Sequence, residues 1–227
     1  AMGEEGINLL RYNPNCDVVV LDKKEKDRLL KEVANADAVI VRSSVFMTKE
    51  ILDHANQLKI VGRAGAGFDN IDVPACSKKG VAVMIAPTGN TNGVVELTLA
   101  LMLGLIRHIP AADQTMKQGI WAKNDLEGSE LEGKTIGIVG LGKIGLRVAQ
   151  LCEAFGMHVI ALVRNISPRQ KATIRGEIVD TLDELLPRVD FLTFHVPLND
   201  STKEMLSKSH FAKMKPSAYI INTSRGN

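Results

Sequence analysis

The chain has 227 residues, 45% of them hydrophobic and only 4% aromatic, with 28 Lys and Arg against 26 Asp and Glu and a formal net charge of +2. That length can bury a large core, in one large domain or two small ones. The near-neutral balance, without a basic stripe interleaved with aromatics, gives no ground for a nucleic-acid partner, no apolar run reaches the roughly 20 residues of a membrane helix, and no secretory signal opens the chain.

In chain order, a helical pattern at 4–11 leads to a strand at 18–21, a helix at 24–35 and a strand at 38–41. A helix at 49–55 and strands at 59–62 and 81–86 follow. Pro87-Thr88-Gly89-Asn90 then breaks the alternation and marks a domain boundary, so domains are expected at 1–87 and 88–227. The helix at 93–108 is apolar nearly all round, which predicts burial on most sides. After a polar stretch at 117–134 holding Trp121 come strands at 135–139, 158–163, 177–179, 191–194 and 219–222, with a helix at 144–155. Alternating strands and helices predict an α/β fold of two doubly wound parallel sheets. The Val- and Ile-rich strands lack clean alternation, as expected for strands covered on both faces. Cys16, Cys76 and Cys152 stand alone with no CxxC pair. They argue for a reducing, cytoplasmic setting and against a disulfide framework or a metal site.

The strand at 135–139 runs into Gly140-Leu141-Gly142-Lys143-Ile144-Gly145, and a helix follows. A GxGxxG between a strand and a helix is the context that binds a dinucleotide. Gly140 permits the tight turn, Gly142 lets backbone approach a pyrophosphate, and Gly145 lets helix and strand pack closely. The phosphates rest on unpaired amides at the helix N-terminus, beside Lys143 and Ile144. The next strand commonly ends in an acid that holds the ribose hydroxyls of NAD. Here Val163 takes that place and Arg164 follows. No carboxylate repels a 2′-phosphate and a guanidinium is available to bind one, which leans towards NADP. Arg164 as a solvated surface residue is the other reading.

The chain resembles the D-isomer-specific 2-hydroxyacid dehydrogenases, and within them the members that act on 3-phospho-D-glycerate. The resemblance rests on VRSSVFMT (41–48), GRAGAGFDNID (62–72), APTGNTNGVVE (86–96), the GLGKIG loop, HVPL (195–198) and INTSRG (221–226), and covers nearly the whole chain. It implies a flavodoxin-like substrate domain and a Rossmann-like nucleotide domain, and hydride transfer between NAD or NADP and a small anionic D-2-hydroxy acid. Arg225 would be the catalytic arginine on the substrate's carboxylate and keto oxygen; a planar fork suits a carboxylate and polarises a carbonyl. The backbone of Ala64, Gly65, Ala66 and Gly67 would bind the carboxylate, with Asn90 nearby. Arg42 and Ser43 would reach a distal phosphate, although Arg42 also reads as a capping or ion-paired residue. Val196 and Pro197 would flank the adenosine, and Thr223 the nicotinamide. His195 suggests a base, but the resemblance puts it on the cofactor side. The helix at 93–108 and the Trp121 region resemble a dimer-forming segment, which implies a homodimer.

The family's proton donor is a histidine held by a glutamate, on segments that follow the INTSRG strand. Neither is found in these 227 residues, and the family's first edge strand is not found either. The resemblance therefore implies incomplete domains and an inactive fragment, since an arginine cannot give up a proton. A glyoxylate or hydroxypyruvate reductase is the alternative within the family. A non-catalytic nucleotide-sensing module, similar to corepressors of this fold, is the alternative outside it.

Overall fold

A computed structural model of the chain describes residues 2–22 and 24–226. It divides into two compact units, Ala1–Asn90 and Thr91–Asn227.

The first unit contains helices α1 (Glu4–Arg11) and α2 (Lys26–Val33), strand β1 (Ala38–Val41), helix α3 (Lys49–His54), β2 (Ile60–Arg63), α4 (Val73–Lys78) and β3 (Ala82–Ile85). Its sheet runs β1-β2-β3, all parallel, with Val41 opposite Arg63 and Arg63 opposite Ile85. Val33, Val41, Met47, Leu52, Val61, Cys76 and Val81 form its core. Helix α4 starts where its sequence directs: the Asp72 carboxylate accepts from the Ala75 amide at 2.9 Å, and Pro74 sits in the first turn. The strand expected at 18–21 does not form; the segment carries no ladder bonds, and Val19 and Val20 stay exposed. A strand needs a pairing partner, which a Val-rich tetrapeptide cannot supply by itself.

The second unit opens with α5 (Thr91–Ile106) and α6 (Ile109–Lys117), joined where His108 adopts a left-handed φ of 51°. After a 3-10 turn come β4 (Thr135–Val139), α7 (Lys143–Ala154), β5 (His158–Leu162), α8 (Pro168–Lys171), β6 (Glu177–Val179), α9 (Leu182–Leu185), β7 (Phe191–Phe194), α10 (Lys208–Phe211) and β8 (Tyr219–Asn222). The parallel sheet has the order β6-β5-β4-β7-β8. Chain direction across the sheet therefore reverses between β4 and β7. Both faces are covered. Ile136 and Ile138 pack into a core with Met102, Val148 and Cys152, whereas Val139 and Leu192 pack with Leu185, Leu186 and Val189. This two-sided burial is why the strands read as unbroken apolar runs.

Helix α5 departs from its expected burial. Val95, Thr98, Met102 and Ile106 are buried, but Leu97, Leu101 and Leu105 form a stripe that is 52%, 42% and 40% exposed. An apolar helix is covered only as far as its own chain supplies a second surface.

Candidate nucleotide and anion sites

In the second unit, register aligns the carboxyl ends of four strands: Val139 is level with Leu162 of β5 and Phe194 of β7, and Phe194 with Asn222 of β8. The residues that follow, Gly140, Val163, His195 and Thr223, therefore share one edge of one sheet. The crevice outside such an edge, at the strand-order reversal, is where open α/β sheets bind ligands.

The loop after β4 is shaped for a phosphate. Gly140 adopts φ +94°, and a Cβ there would stand 2.7 Å from Val196 Cγ1 and 2.8 Å from the His195 carbonyl oxygen. A Cβ on buried Gly145 would lie 2.0 Å from the Gly140 carbonyl oxygen, so only glycine lets α7 start this close to β4. Gly142 differs. It is the exposed N-cap of α7, with ordinary φ −67° and no side-chain cap, and a Cβ there would meet nothing within 4 Å. The open space over Gly142, at the positive end of a 12-residue helix with no acid in its first turn, fits a pyrophosphate. Exposed Lys143 adds a cation, and Ile144 packs its side chain against the core.

Around this loop, Val163 packs on the core and Arg164 is exposed at the end of β5. The Gln170 side-chain Nε2 donates to the Leu141 carbonyl at 2.9 Å, and the Ser167–Gln170 capping box holds the segment that follows Arg164. Past β7, the His195 amide donates to Val139 and its ring Nε2 lies 3.2 Å from Thr193 Oγ1. Burial pushes the His195 imidazole down to about 4, so it is neutral at physiological pH. Val196 packs partly into the second core, and Pro197 is exposed, its carbonyl taking the Thr202 hydroxyl at 2.5 Å.

The turn after β8 is built by Asn222. Its Oδ1 accepts from the Ser224 amide at 3.0 Å and the Ser224 hydroxyl at 2.7 Å, while its Nδ2 donates to the Arg225 carbonyl at 2.5 Å. Half-buried Arg225 donates from Nη1 to the Ser224 carbonyl at 2.9 Å. Thr223 Oγ1 lies 3.0 Å from Oγ1 of fully buried Thr98. An Asn followed by hydroxyl residues is a legible turn signal; nothing in the sequence singles out Thr98.

In the first unit, Arg42 and Ser43 are exposed just past β1, and Ala64, Gly65, Ala66 and Gly67 follow β2. The Ala64 amide donates to Val41 at 2.9 Å, which holds the two loops side by side. Buried Asn70 donates to the carbonyls of Arg42 at 3.0 Å and Val45 at 2.6 Å, and so ties them together a second time. Arg63 folds over Gly65, where a Cβ would lie 1.9 Å from Nη1. Among the described residues, Arg63 Nε is buried with no hydrogen-bond partner. Arg63 and Asn70 lie within the GRAGAGFDNID stretch, but that stretch does not give their roles, which depend on which backbone they meet. Asn90 is exposed at the end of this unit. Gly140, Gly142, Lys143, Ile144, Gly145, Val163, Arg164, His195, Val196, Pro197, Thr223 and Arg225 thus gather on the second unit, and Arg42, Ser43 and Ala64–Gly67 on the first.

Residues 99–227 match the family model described as the D-isomer specific 2-hydroxyacid dehydrogenase, NAD binding domain. The chain is 42% identical over 211 residues to a D-3-phosphoglycerate dehydrogenase of Methanocaldococcus jannaschii, covering 92% of this chain and 40% of that protein. It is also 42% identical to a hydroxypyruvate reductase of Thermotoga maritima, over 99% of this chain and 72% of that protein. Its fold is similar to the TT0316 protein of Thermus thermophilus, with a TM-score of 0.85 at 30% identity, covering 98% of this chain and 71% of that one. A D-lactate dehydrogenase of Aquifex aeolicus, solved with NAD and lactic acid, gives a TM-score of 0.79 at 32% identity, over 87% of this chain and 59% of that one. The chain spans about 40% of the length of the first of these relatives. With a nucleotide loop that fits a pyrophosphate and these matches along its length, the chain belongs to the D-isomer-specific 2-hydroxyacid dehydrogenases.

Proposed function

We propose that the chain is the binding core of a cytoplasmic dehydrogenase that oxidises 3-phospho-D-glycerate at C2, a step towards serine. The observation that carries this is the register that sets the Gly140–Gly145 loop and the Thr223–Arg225 turn on one sheet edge. Bound NAD or NADP supplies a hydride acceptor. Gly142 and the first amides of α7 hold its pyrophosphate. Arg225 binds the substrate's carboxylate and polarises its C2 oxygen by charge-assisted hydrogen bonds. On the first unit, the amides of Ala64–Gly67 offer donors suited to a carboxylate, and Arg42, Ser43 and Arg63 offer groups suited to a phosphate. A proton must also move. Arg225 cannot carry it, and the ring Nε2 of His195 is engaged with Thr193, so the proton is expected to pass through a group other than these two. The exposed Leu97, Leu101 and Leu105 stripe supports a homodimer as the working assembly.

A second reading, a hydroxypyruvate or glyoxylate reductase using NADPH, draws on exposed Arg164 and the lack of an acid at the end of β5. Calorimetric titration of the dinucleotide-saturated chain separates the two. On the first reading, Arg42→Ala weakens 3-phospho-D-glycerate binding by roughly tenfold or more and leaves D-glycerate unaffected. Equal affinity of wild type and variant for the phosphorylated acid would reject the phosphoglycerate assignment. Tighter binding of NADP than NAD, lost in Arg164→Ala, would support the reductase.

A further inference from the structure

We infer that Asn70, a buried side chain behind the anion loops of the first unit, is a positioning residue that staples the turn carrying Arg42 and Ser43 and so sets the preference for an acid with a second, distal anion. The inference rests on the phosphoglycerate reading and deepens it. The turn is closed by one backbone bond, from the Val45 amide to the Arg42 carbonyl at 3.2 Å. Its central residues, Ser43 and Ser44, are exposed. An exposed turn held by one such bond opens easily. Asn70 is only 4% exposed, and its Nδ2 donates to the Arg42 carbonyl at 3.0 Å and to the Val45 carbonyl at 2.6 Å. These are the two ends of the turn. A side-chain amide has two protons to give, and both are used here.

The backbone around Asn70 makes it a firm anchor. Its carbonyl accepts from the Met47 amide at 2.8 Å, and the Met47 carbonyl accepts from the Asp72 amide at 2.9 Å. Met47 pairs with Ile71 as an isolated parallel bridge, and both side chains lie in the core of the unit. Packing does not by itself call for an asparagine here. Among the described residues its Oδ1 is buried with no hydrogen-bond partner, which costs stability. What the side chain supplies is the pair of donors at the turn. Without them the carbonyls of Arg42 and Val45 lose a buried partner, and the turn must be ordered again whenever a ligand uses it. The carboxylate loop has its own ties, from the Ala64 amide to Val41 at 2.9 Å and from the Ala86 amide to the Gly65 carbonyl at 3.0 Å. Loss of Asn70 therefore falls on the distal anion and spares the carboxylate.

Calorimetric titration of the dinucleotide-saturated chain with 3-phospho-D-glycerate and with D-glycerate tests this through the ratio of the two affinities. Asn70→Ala is expected to cut the wild-type preference for the phosphorylated acid by roughly tenfold, the scale of one or two hydrogen bonds. Affinities for D-glycerate and NAD+ stay unchanged. The double variant Arg42→Ala/Asn70→Ala loses little more preference than Arg42→Ala, because Asn70 acts through the turn. Asp72→Ala removes the α4 cap of the same unit, so it lowers Tm and keeps the preference. If Asn70→Ala does not fold, Asn70→Ser, which keeps one donor, reads the same ratio. A folded Asn70 variant with the wild-type preference, losses that add in the double variant, or an equal loss of preference in Asp72→Ala overturns the inference. A wild type that binds both acids equally, or an Arg42→Ala protein with the wild-type preference, would instead overturn the phosphoglycerate reading beneath it.

Discussion

The two glycines that flank the start of α7 should fail in opposite ways when each becomes alanine. In Gly145→Ala the new methyl would lie 2.0 Å from the Gly140 carbonyl oxygen, an atom of the backbone that cannot rotate away. Helix and strand must separate by about 1 Å, in a region closed by the cores on both faces of the sheet. Overpacking of that kind costs roughly 2–4 kcal/mol, which lowers Tm by about 5–15 °C for a unit of this size. In Gly142→Ala the methyl enters open space, and φ −67° with ψ −169° is ordinary for alanine. Stability should change by less than about 1 kcal/mol, the scale of an N-cap substitution. The methyl nevertheless stands where the pyrophosphate approaches, so ADP-ribose and NAD+ should bind at least about tenfold more weakly, a difference of roughly 1.4 kcal/mol. Thermal unfolding and calorimetric titration of both variants give four numbers. A Gly142→Ala protein that binds NAD+ like wild type would refute the phosphate role of the open space. A Gly145→Ala protein that melts like wild type would refute the packing argument.

Three further outcomes are expected. His195 titrates near 4 in the folded chain against about 6.5 unfolded, so its contribution is complete above pH 6.5 and lost as the pH falls towards 4. Urea unfolding should show a stability loss of up to about 3 kcal/mol in that window, absent in His195→Asn; equal pH slopes would contradict it. Maleimide should label exposed Cys16 in the native chain and leave Cys76 and Cys152 untouched until urea is added, because both are buried and burial pushes the Cys152 thiol up to about 12. Asp190→Ala removes the carboxylate that accepts from the Thr135 amide and the Lys215 ammonium, each at 2.8 Å, and should cost roughly 1–3 kcal/mol by chemical denaturation.

The nucleotide half was legible in the sequence because its signals are local. The spacing of Gly140, Gly142 and Gly145 after an apolar strand encodes a turn, an approach and a packing contact within six residues. Strands β4, β5 and β7 announce themselves because burial on both faces leaves no room for polar alternation. Segment 18–21 has the same Val-rich look and forms no strand, since pairing is a property of two segments. Helix α5 looks buried throughout, yet only its tertiary neighbours decide that Thr98 is sealed while Leu97, Leu101 and Leu105 are not. Arg63 and Asn70 lie inside the GRAGAGFDNID stretch and Thr98 outside the quoted motifs; what each touches, a glycine, two carbonyls or a hydroxyl, is fixed by the fold. The sequence by itself determined the family, the parallel α/β class and the glycine loop, all carried by residues adjacent in the chain. Only the tertiary structure decided which side chains meet, because that depends on contacts such as Thr98 to Thr223 that close across 125 residues.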